Sequence, residues 1–383
     1  MQTIFLIIFY FSVAAVVYVY IGYLLLVALI GAFRVRRVKK GIVQPGISIL
    51  ISAYNEEKNI DSTLKNKLEL DYDPEKIEMI VVSDGSTDKT DEIVKTYAHN
   101  RVRLIRQEPR AGKTAALNRA VVEATGEVLV FSDANSIWEK NALKHLVHNF
   151  HDPQVGYVTG KMIYLNPDGS TIGDGSTAYM RYENILWKAE TLTGSIVGVD
   201  GGIDAIRRKL YRPMRADQLP DFVLPLMVVE EGYRVVFEPE AVLTESSLDK
   251  GGDEYKMRVR VSLRSFWALK DMKSLLSLKR FRLYTLQLWS HKVLRYLCFI
   301  FLLTAYASNL FLWNSGTFFQ GTFVLQTLFY VSAALFPFLE GNGIRLRLLR
   351  LFYYFCLVNF AFAHALVKFL LGRKQVVWEP RKG

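Results

Sequence analysis

Residues 47–56 read ISILISAYNE, a short β-branched run that ends in polar side chains. The same arrangement returns at residues 77–86, IEMIVVSDGS, and at residues 128–135, VLVFSDAN. Segments with a helical period separate these runs, and alternating strands and helices predict a parallel sheet covered on both faces. Because right-handed crossovers bring the carboxyl ends of parallel strands to one edge, the polar endings predict a ligand site there.

The soluble part of the chain is predicted to have an α/β, Rossmann-like fold with a mostly parallel sheet. The predicted strands are Ile47–Ile51, Ile77–Val82, Val102–Ile105 and Val128–Phe131. The predicted helices are Glu56–Leu68, Asp88–Tyr97, Lys113–Ala124 and Glu139–Asn149.

Apolar residues make up 51% of the 383 residues and gather at the two ends of the chain. Thr3–Phe33 carries no charge, and a membrane-spanning helix needs about 20 such residues. A signal peptide is the alternative, but its apolar core has about 7–15 residues and follows a basic start. Here the basic cluster, Arg34 to Lys40, follows the apolar run. The segment is therefore interpreted as a retained anchor whose second end lies in the cytoplasm.

The chain changes character after Leu269. Leu275–Trp289 mixes apolar, aromatic and basic residues, which predicts a helix in the membrane interface. Three candidate spans follow: Val293–Trp313, Phe318–Leu339 and Leu349–Leu371. The predicted organisation is an N-terminal anchor (1–40), a cytoplasmic α/β domain (41–269), an interfacial amphipathic region (270–292), and C-terminal membrane helices with a tail (293–383).

This organisation contains a conflict. Three spans after a cytoplasmic domain put the C-terminus outside, yet the tail carries the basic residues Arg373, Lys374, Arg381 and Lys382, which favour the inside. Either one late segment is interfacial or re-entrant, or the charge rule is violated.

The net charge of +11 does not indicate a nucleic-acid partner, because the basic clusters flank the apolar runs and suit anionic lipid head groups. The two cysteines, Cys298 and Cys356, lie inside apolar runs, which excludes a disulfide framework and a cysteine zinc site.

Four polar motifs occur in a fixed order: Ile51–Glu56, Val82–Ser86, Arg110–Asn118 and Phe131–Asn135. This pattern resembles the family 2 glycosyltransferases, especially the membrane-embedded branch that contains cellulose, hyaluronan and poly-N-acetylglucosamine synthases. The resemblance implies a GT-A catalytic domain that transfers a hexose or N-acetylhexosamine, with inversion, from a UDP-sugar to a glycan acceptor. It also implies an integral protein of a bacterial-type plasma membrane. The expected partners are membrane lipids and an auxiliary subunit.

The predicted donor site lies at the ends of the first two strands. Asp84 can accept hydrogen bonds from a base N–H or a ribose hydroxyl, and the resemblance assigns it to the nucleoside; a turn aspartate is the alternative. Tyr54 is expected to pack on the nucleotide base, and a half-buried tyrosine at a strand end is the alternative. The resemblance also implies that Glu56 binds the donor. Lys113 follows Gly112 at a helix start, where anions bind, unless it is simply solvent-exposed.

Asp133-Ala134-Asn135 occupies the place of the family's Asp-x-Asp metal motif, which implies Mg²⁺ or Mn²⁺. Carboxylate and amide oxygens suit these hard ions. Asn135 replaces the second acid, and its alternative role is to cap the helix predicted at Glu139.

The resemblance places the catalytic base, which takes the proton of the acceptor hydroxyl, at Asp221. It follows a Gly-rich loop and strand, Val199–Arg207, and Pro220 stands where the family usually has another acid. The alternative is a helix N-terminal acid that satisfies backbone donors.

Arg258 and Arg260 match the family's Gln-Arg-x-Arg-Trp motif, whose arginines hold the donor diphosphate, but Met257 and Val261 replace its Gln and Trp. Phe266 or Trp267 could replace the tryptophan that stacks on the acceptor sugar. Contact with lipid head groups is the alternative for these arginines and for nearby Arg264.

Three functions are therefore compared: a polysaccharide synthase, a single-addition transferase to a lipid acceptor, and a non-catalytic membrane partner that keeps the fold. The three C-terminal candidate spans favour the first, and the altered last motif favours the second. The third is supported by Pro220 and Asn135, and opposed by the retention of Asp84, Asp133 and Asp221.

Overall fold

The structure is a computed structural model that describes residues 1–165, 175–246, 251–343 and 346–376. Arg381 and Lys382, which entered the topology argument, lie outside the described residues.

The domain between the terminal helices, which the sequence predicts to be catalytic, is built on one eight-stranded sheet in the order β3-β2-β1-β4-β7-β6-β8-β5. The strands are β1 (Ile47–Ala53), β2 (Ile77–Asp84), β3 (Val102–Gln107), β4 (Val128–Asp133), β5 (Ile137–Trp138), β6 (Val155–Leu165), β7 (Asp204–Arg207) and β8 (Arg234–Ser246). The half formed by β3, β2, β1 and β4 is parallel throughout, as predicted. Strands β7 and β5 run antiparallel to their neighbours, and β6 pairs with β8 in parallel. The predicted α/β class with a mostly parallel sheet is confirmed.

Helices cover both faces of the sheet. Their bounds are α1 (Gln2–Val17), α2 (Tyr23–Phe33), α3 (Ile60–Leu68), α4 (Thr90–Lys95), α5 (Lys113–Glu123), α6 (Ala142–His148), α7 (Gly175–Thr193), α8 (Pro220–Glu230), α9 (Gly251–Asp271), α10 (Leu278–Phe281), α11 (Leu283–Leu288), α12 (Leu294–Tyr296), α13 (Cys298–Phe311), α14 (Thr317–Gly341) and α15 (Arg347–Leu370). Apolar residues of α3, α4 and α6 fill the core on one face. Those of α5, α8 and α9 fill the core on the other, so both faces are buried.

Two helices begin later than predicted, for tertiary reasons. Helix α3 starts at Ile60 because Asn55 has a left-handed backbone (φ 55°) and the amides of Asn55 and Glu56 donate to Ser86 Oγ and Thr90 Oγ1. Helix α6 starts at Ala142 because the preceding residues form β5, which pairs with β8. Asn135 therefore does not cap that helix, contrary to the alternative considered for it.

The N-terminal helix runs from Gln2 to Phe33, with a π-helical turn at Tyr18–Gly22 between α1 and α2. Gln2–Phe33, α14 and α15 are long and apolar enough to cross a membrane. Leu283–Tyr296 and α13 meet at a bend of 57° and would make a fourth candidate if they form one span. The straight span predicted at Val293–Trp313 is therefore broken.

The single helix predicted over Leu275–Trp289 is also divided. Arg282 takes a positive φ of 41°, which separates α10 from α11. Tyr284 and Leu288 on α11 are buried in the same core cluster as the α5–α8–α9 face. Part of this segment therefore packs on the same core as α5, α8 and α9.

Candidate active site

The polar strand ends meet in a cleft around Lys113. Its ammonium lies 2.7 Å from Asp133 Oδ1 and 3.8 Å from Asp221 Oδ1. Asp133 ends β4, Lys113 begins α5, and Asp221 lies in the first turn of α8. Each of the three side chains is partly exposed, between 24% and 34%, so a ligand can reach them. The structure thus brings together the predicted metal ligand, donor lysine and base.

The charges in the cleft shift one another's protonation. Burial alone would lower the pKa of Lys113, but the Asp133 and Asp221 carboxylates outweigh it and raise that pKa above its usual value. Burial raises the pKa of the Asp221 carboxyl; Lys113 opposes this rise and Asp133 adds to it. Lys113 is therefore a firmly charged ammonium, and Asp221 binds a proton more strongly than an exposed aspartate does.

Asp84 holds the loop that leads into α5. It ends β2, is only 3% exposed, and accepts hydrogen bonds from Gln107 Nε2 (2.6 Å) and from the amides of Ala111 (2.8 Å) and Gly112 (2.8 Å). Gly112 has φ 89°, a left-handed conformation that favours glycine. Asp84 therefore fixes the backbone that places Lys113 in the cleft, which is more than the role of a turn residue.

Tyr54 and Glu56 lie on the neighbouring loop after β1. The guanidinium of Arg110 lies over the Tyr54 ring, 3.5 Å from its centroid. Glu56 accepts a hydrogen bond from Asn59 Nδ2 (2.8 Å), and its carbonyl accepts from the amide of Ile60 (2.9 Å) at the start of α3. Tyr54 thus packs against the loop that carries Arg110, and Glu56 stabilises the start of α3.

Side chains of α3 hold the loop that carries Asp133 and Asn135. Thr63 Oγ1 donates to the Ala134 carbonyl (2.7 Å), and Lys67 Nζ donates to the Ser136 carbonyl (2.7 Å). Lys67 is 1% exposed, and burial lowers its pKa well below the usual value. The sequence reasoning missed Lys67, because one lysine in an amphipathic helix gives no sign that it is buried. Asn135 is half-buried beside Asp133.

The Gly-rich loop before β7 lies against Asp221, the predicted base. Gly201 has φ 87°, and a Cβ there would lie about 3.1 Å from the Asp221 carboxyl carbon, so only glycine lets the loop approach this closely. Two more carboxyls belong to this loop and strand. Burial, with Glu183 nearby, raises the pKa of Asp200 to about 7. Burial, with Asp221 nearby, raises that of Asp204 well above its usual value. Neither was predicted as a site residue.

The three arginines of α9 differ in their surroundings. Arg258 pairs with Glu254 (2.8 Å) and donates to Tyr354 Oη (2.7 Å), so it lies against α15. Arg260 lies close enough to Asp221 to lower its pKa. The structure therefore places Arg260 at the cleft, whereas Arg258 joins the catalytic domain to the C-terminal helices.

Arg264 is 7% exposed, so it does not contact lipid head groups, contrary to the alternative considered for it. It donates to Thr114 Oγ1 (3.0 Å) and to the carbonyls of Ala216 (3.2 Å), Asp217 (3.1 Å) and Gln218. Thr114 directly follows Lys113, and the three carbonyls directly precede α8. One guanidinium therefore connects the starts of α5 and α8. Asn118 is also structural, since it bonds the backbone of Met214.

Several known proteins resemble this chain. Residues 48–213 match the family model described as glycosyl transferase family 2. A poly-beta-1,6-N-acetyl-D-glucosamine synthase of Staphylococcus aureus is 30% identical over 273 residues, which cover 66% of this chain and 64% of that protein. The synthase of the same name from Staphylococcus epidermidis is 28% identical over 270 residues, covering 67% of this chain and 65% of its own length. The chain therefore spans just under two thirds of the length of these relatives.

A solved structure shares the fold over nearly the whole chain. The mannosyltransferase from Pyrobaculum calidifontis, in complex with GDP-Man and Mn²⁺, has a TM-score of 0.72 and 21% identity, and the match covers 96% of this chain and 99% of that one. The GT-A fold expected from the sequence is thereby confirmed. Residues 48–213 are therefore similar to the family 2 glycosyltransferases, as the family model and the 30% identity to the synthase both show.

Proposed function

We propose that the protein is an inverting glycosyltransferase that moves a hexose or N-acetylhexosamine from a UDP-sugar to a glycan acceptor at the membrane, in the synthesis of a polysaccharide. The observation that carries the proposal is the position of the Lys113 ammonium between Asp133 and Asp221. This arrangement puts a fixed cation and two carboxylates where a diphosphate, a metal ion and an acceptor hydroxyl must meet. The curated relatives are named for a poly-N-acetylglucosamine product, so UDP-N-acetylglucosamine is the first donor to test.

The donor is proposed to bind along the ends of β1, β2 and β4. The nucleoside lies near Tyr54 and Glu56 and near the loop held by Asp84, and the diphosphate lies against Lys113 and the first turn of α5. Arg260 extends the positive charge to the side of Asp221. Arg258 adds positive charge near Asp200, whose pKa it lowers, and joins α9 to α15 through Tyr354. Charge-assisted hydrogen bonds from lysine and arginine are the strong contacts for a diphosphate.

A divalent cation, Mg²⁺ or Mn²⁺, fits the end of β4. Among the described residues no group of three or more His, Cys, Asp or Glu side chains could hold a metal, so the chain offers the Asp133 carboxylate with the Asn135 amide. A site with so few protein ligands suits Mg²⁺ or Mn²⁺, because diphosphate oxygens and water would supply the remaining ligands. When bound, the cation would neutralise the charge that develops on the departing UDP.

Asp221 is proposed to act as the general base. The acceptor hydroxyl gives its proton to the Asp221 carboxylate while its oxygen bonds to the anomeric carbon, and the bond from that carbon to the UDP oxygen breaks. The raised pKa of Asp221 makes the carboxylate a stronger base than an exposed aspartate. The Lys113 ammonium, 3.8 Å away, favours the ionised form of Asp221 and opposes this rise. If Asp221 only satisfied backbone donors at the start of α8, no lysine would be expected beside its carboxylate.

A single addition to a lipid acceptor is the second candidate. In the synthase motif a tryptophan stacks on the acceptor sugar, and neither substitute for it lies at the cleft here. Phe266 is buried between Tyr296 and Phe369, and Trp267 donates to the Arg373 carbonyl. Neither Phe266 nor Trp267 therefore supplies the aromatic platform that the resemblance associates with repeated addition.

The test is a donor screen on the purified full-length protein in lipid nanodiscs, with Mg²⁺ or Mn²⁺. The donors are UDP-N-acetylglucosamine, UDP-glucose and, because the Pyrobaculum enzyme binds it, GDP-mannose. Released nucleotide reports transfer, and the length of radiolabelled product separates the two candidates. A metal-dependent release from a UDP-sugar with a long product supports the proposal, and a single-sugar lipid product supports the second candidate. No release from any donor, or release from GDP-mannose alone, contradicts the UDP-sugar assignment.

A further inference from the structure

The C-terminal segment returns to the catalytic domain. Trp267 Nε1 donates to the Arg373 carbonyl (2.9 Å), and Lys374 Nζ pairs with Asp217 Oδ2 (2.6 Å). The Val376 carbonyl lies 3.1 Å from the position that a Cβ on Gly112 would take. These contacts join the tail to the loops that carry Lys113 and lead to Asp221. Residues 373–376 therefore lie on the same side of the membrane as the catalytic domain.

The turn between α13 and α14 lies at the opposite end of the molecule. Phe5 stacks on Phe311 with ring centroids 4.5 Å apart, and Gln2 Nε2 donates to Ser315 Oγ (2.9 Å). These are the first residues of a helix whose other end meets the catalytic domain, where the Arg36 amide donates to the Leu192 carbonyl (2.7 Å). Helix α13 therefore runs away from the catalytic domain beside α1, and α14 begins at that far end.

Helix α15 lies along α9 for most of its length. Arg258 Nη2 donates to Tyr354 Oη (2.7 Å), Tyr255 Oη lies 2.7 Å from His364 Nδ1, and Phe266 stacks on Phe369. Helix α9 belongs to the catalytic domain and carries seven charged side chains in its described part: Glu254, Lys256, Arg258, Arg260, Arg264, Lys270 and Asp271. Only residues 347–353 of α15 precede these contacts, and seven helical residues extend about 10 Å. A bilayer core of about 30 Å requires about 20 residues.

The two sides of α15 also differ. Leu357, Ala361, Phe362 and Ala365 are buried, and the last three belong to the core cluster shared with α8 and α9. The other side exposes Phe360, Val367, Leu370 and Leu371, each by more than half. Basic residues stand beside this apolar side at both ends, Arg347 and Arg350 at the start, Lys368 and Arg373 at the finish. An apolar side flanked by basic residues is typical of a helix at a lipid surface.

We propose that α15 does not cross the membrane but lies in the bilayer interface on the catalytic side, with Phe360, Val367, Leu370 and Leu371 among the acyl chains. The protein then crosses the membrane three times: by the N-terminal helix, by Leu283–Tyr296 together with α13, and by α14. The lipid surface is the occupant of the exposed side because α15 packs beside the spanning helix α14, where the Phe336 and Tyr353 rings meet with centroids 5.5 Å apart. Apolar residues of α14, such as Leu335 and Phe338, are exposed as well. This arrangement also keeps the basic tail, Arg373 and Lys374, on the side that basic residues favour. The composition of α15 alone indicates a span, but its contacts with α9 leave no length for one.

Cysteine labelling in sealed vesicles tests the sidedness. Cys298 and Cys356 are first replaced by alanine in the full-length protein. Single cysteines are then placed at three exposed positions: Lys89→Cys in the catalytic domain, Asn314→Cys in the α13–α14 turn, and Gln375→Cys in the tail. We expect a membrane-impermeant maleimide to label Gln375→Cys from the same side as Lys89→Cys, and Asn314→Cys only from the other side. Labelling of Gln375→Cys together with Asn314→Cys, or of all three from one side, overturns the proposal.

Depth measurements test the orientation of α15 itself. Nitroxide labels at Phe360→Cys and Val367→Cys, seven residues apart, should show nearly equal depths from their collisions with oxygen and with a water-soluble nickel complex. The matched control pair is Ile4→Cys and Phe11→Cys, also seven residues apart and exposed on α1, where the depths should differ by several ångströms. Depths at positions 360 and 367 that differ as much as the control pair contradict an interfacial helix. Both readouts are independent of transfer activity, so they stand apart from the proposed reaction.

Discussion

The ammonium of Lys113 lies 2.7 Å from the carboxylate of Asp133, so the first residue of α5 is tied to the last residue of β4. This ion pair spans the point where a diphosphate and a metal ion would enter. It also brings Lys113 within 3.8 Å of Asp221, the proposed base. One lysine therefore connects the donor side of the cleft to the acceptor side.

Lys113→Met is expected to raise the donor KM by about tenfold to a hundredfold, because a charge-assisted hydrogen bond contributes about 1.5–3 kcal/mol. Steady-state kinetics with varied donor measure the change. The control is Lys65→Met, which removes an exposed lysine paired with Asp61 at 2.8 Å and should leave KM unchanged. An unaltered donor KM in Lys113→Met would show that this lysine does not contact the donor.

The pH dependence of transfer reports on Asp221. A base works only when it is deprotonated, so kcat/KM should fall as the pH drops through the raised pKa of Asp221. The midpoint should lie above the value of about 3.9 typical of an aspartate. Because the Lys113 charge lowers the pKa of Asp221, the residual activity of Lys113→Met should show this midpoint at a higher pH. A midpoint near pH 4, unchanged in the variant, contradicts this assignment.

Asp84→Ala is expected to lower the free energy of unfolding by about 3 kcal/mol, because two backbone amides and one side-chain amide lose a buried acceptor. The loop before Lys113 should loosen as well, which raises the donor KM. Thermal unfolding followed by tryptophan fluorescence measures the stability. Asp73→Ala, which removes an acceptor for a single exposed amide, is the control and should cost about 1 kcal/mol or less. Equal losses in the two variants would contradict the role given to Asp84.

Arg264 positions two helix starts at once, so even a conservative change should affect the reaction. Arg264→Lys keeps the charge but cannot reach Thr114 and three carbonyls together, and we expect a stability loss of about 1–3 kcal/mol. Transfer should also slow, because the helix starts that Arg264 connects carry Lys113 and Asp221. Arg212→Lys, at an exposed arginine paired with Glu231, is the matched control. A stability loss with an unchanged transfer rate would show that Arg264 stabilises the fold without positioning Lys113 and Asp221 for the reaction.

The sequence predicted the parallel half of the sheet because each strand is a continuous apolar run that ends in polar residues. The same rule located Asp133 and Lys113, since strand ends and the following helix starts share one edge. It did not reveal that Asp84 bonds the loop at Gly112, a contact between residues 28 positions apart. Asp200 and Asp204 were missed because their proximity to Asp221 depends on how the Gly-rich loop folds back.

The composition of the membrane segments does not predict which helices cross the bilayer or where they break. Helix α15 has the length and apolarity of a span, but its contact with the charged helix α9 and the return of the tail to Asp217 argue otherwise. The break at Arg282 likewise has no local signal, because a positive φ at an arginine is set by the surrounding packing. Lys67 and Arg264 are typical surface residues by type, and their burial follows from carbonyl partners in distant loops.

The most direct test of the proposed chemistry measures donor binding and transfer on the same preparation of Asp221→Asn. Asparagine keeps the size of the side chain but cannot take a proton, so transfer should fall by at least about a hundredfold. Donor binding, measured by calorimetry, should stay within a few-fold of the unaltered protein, as it should in the control Glu231→Gln at the other end of α8. Transfer by Asp221→Asn at the rate of the unaltered protein would contradict the assignment of Asp221 as the base.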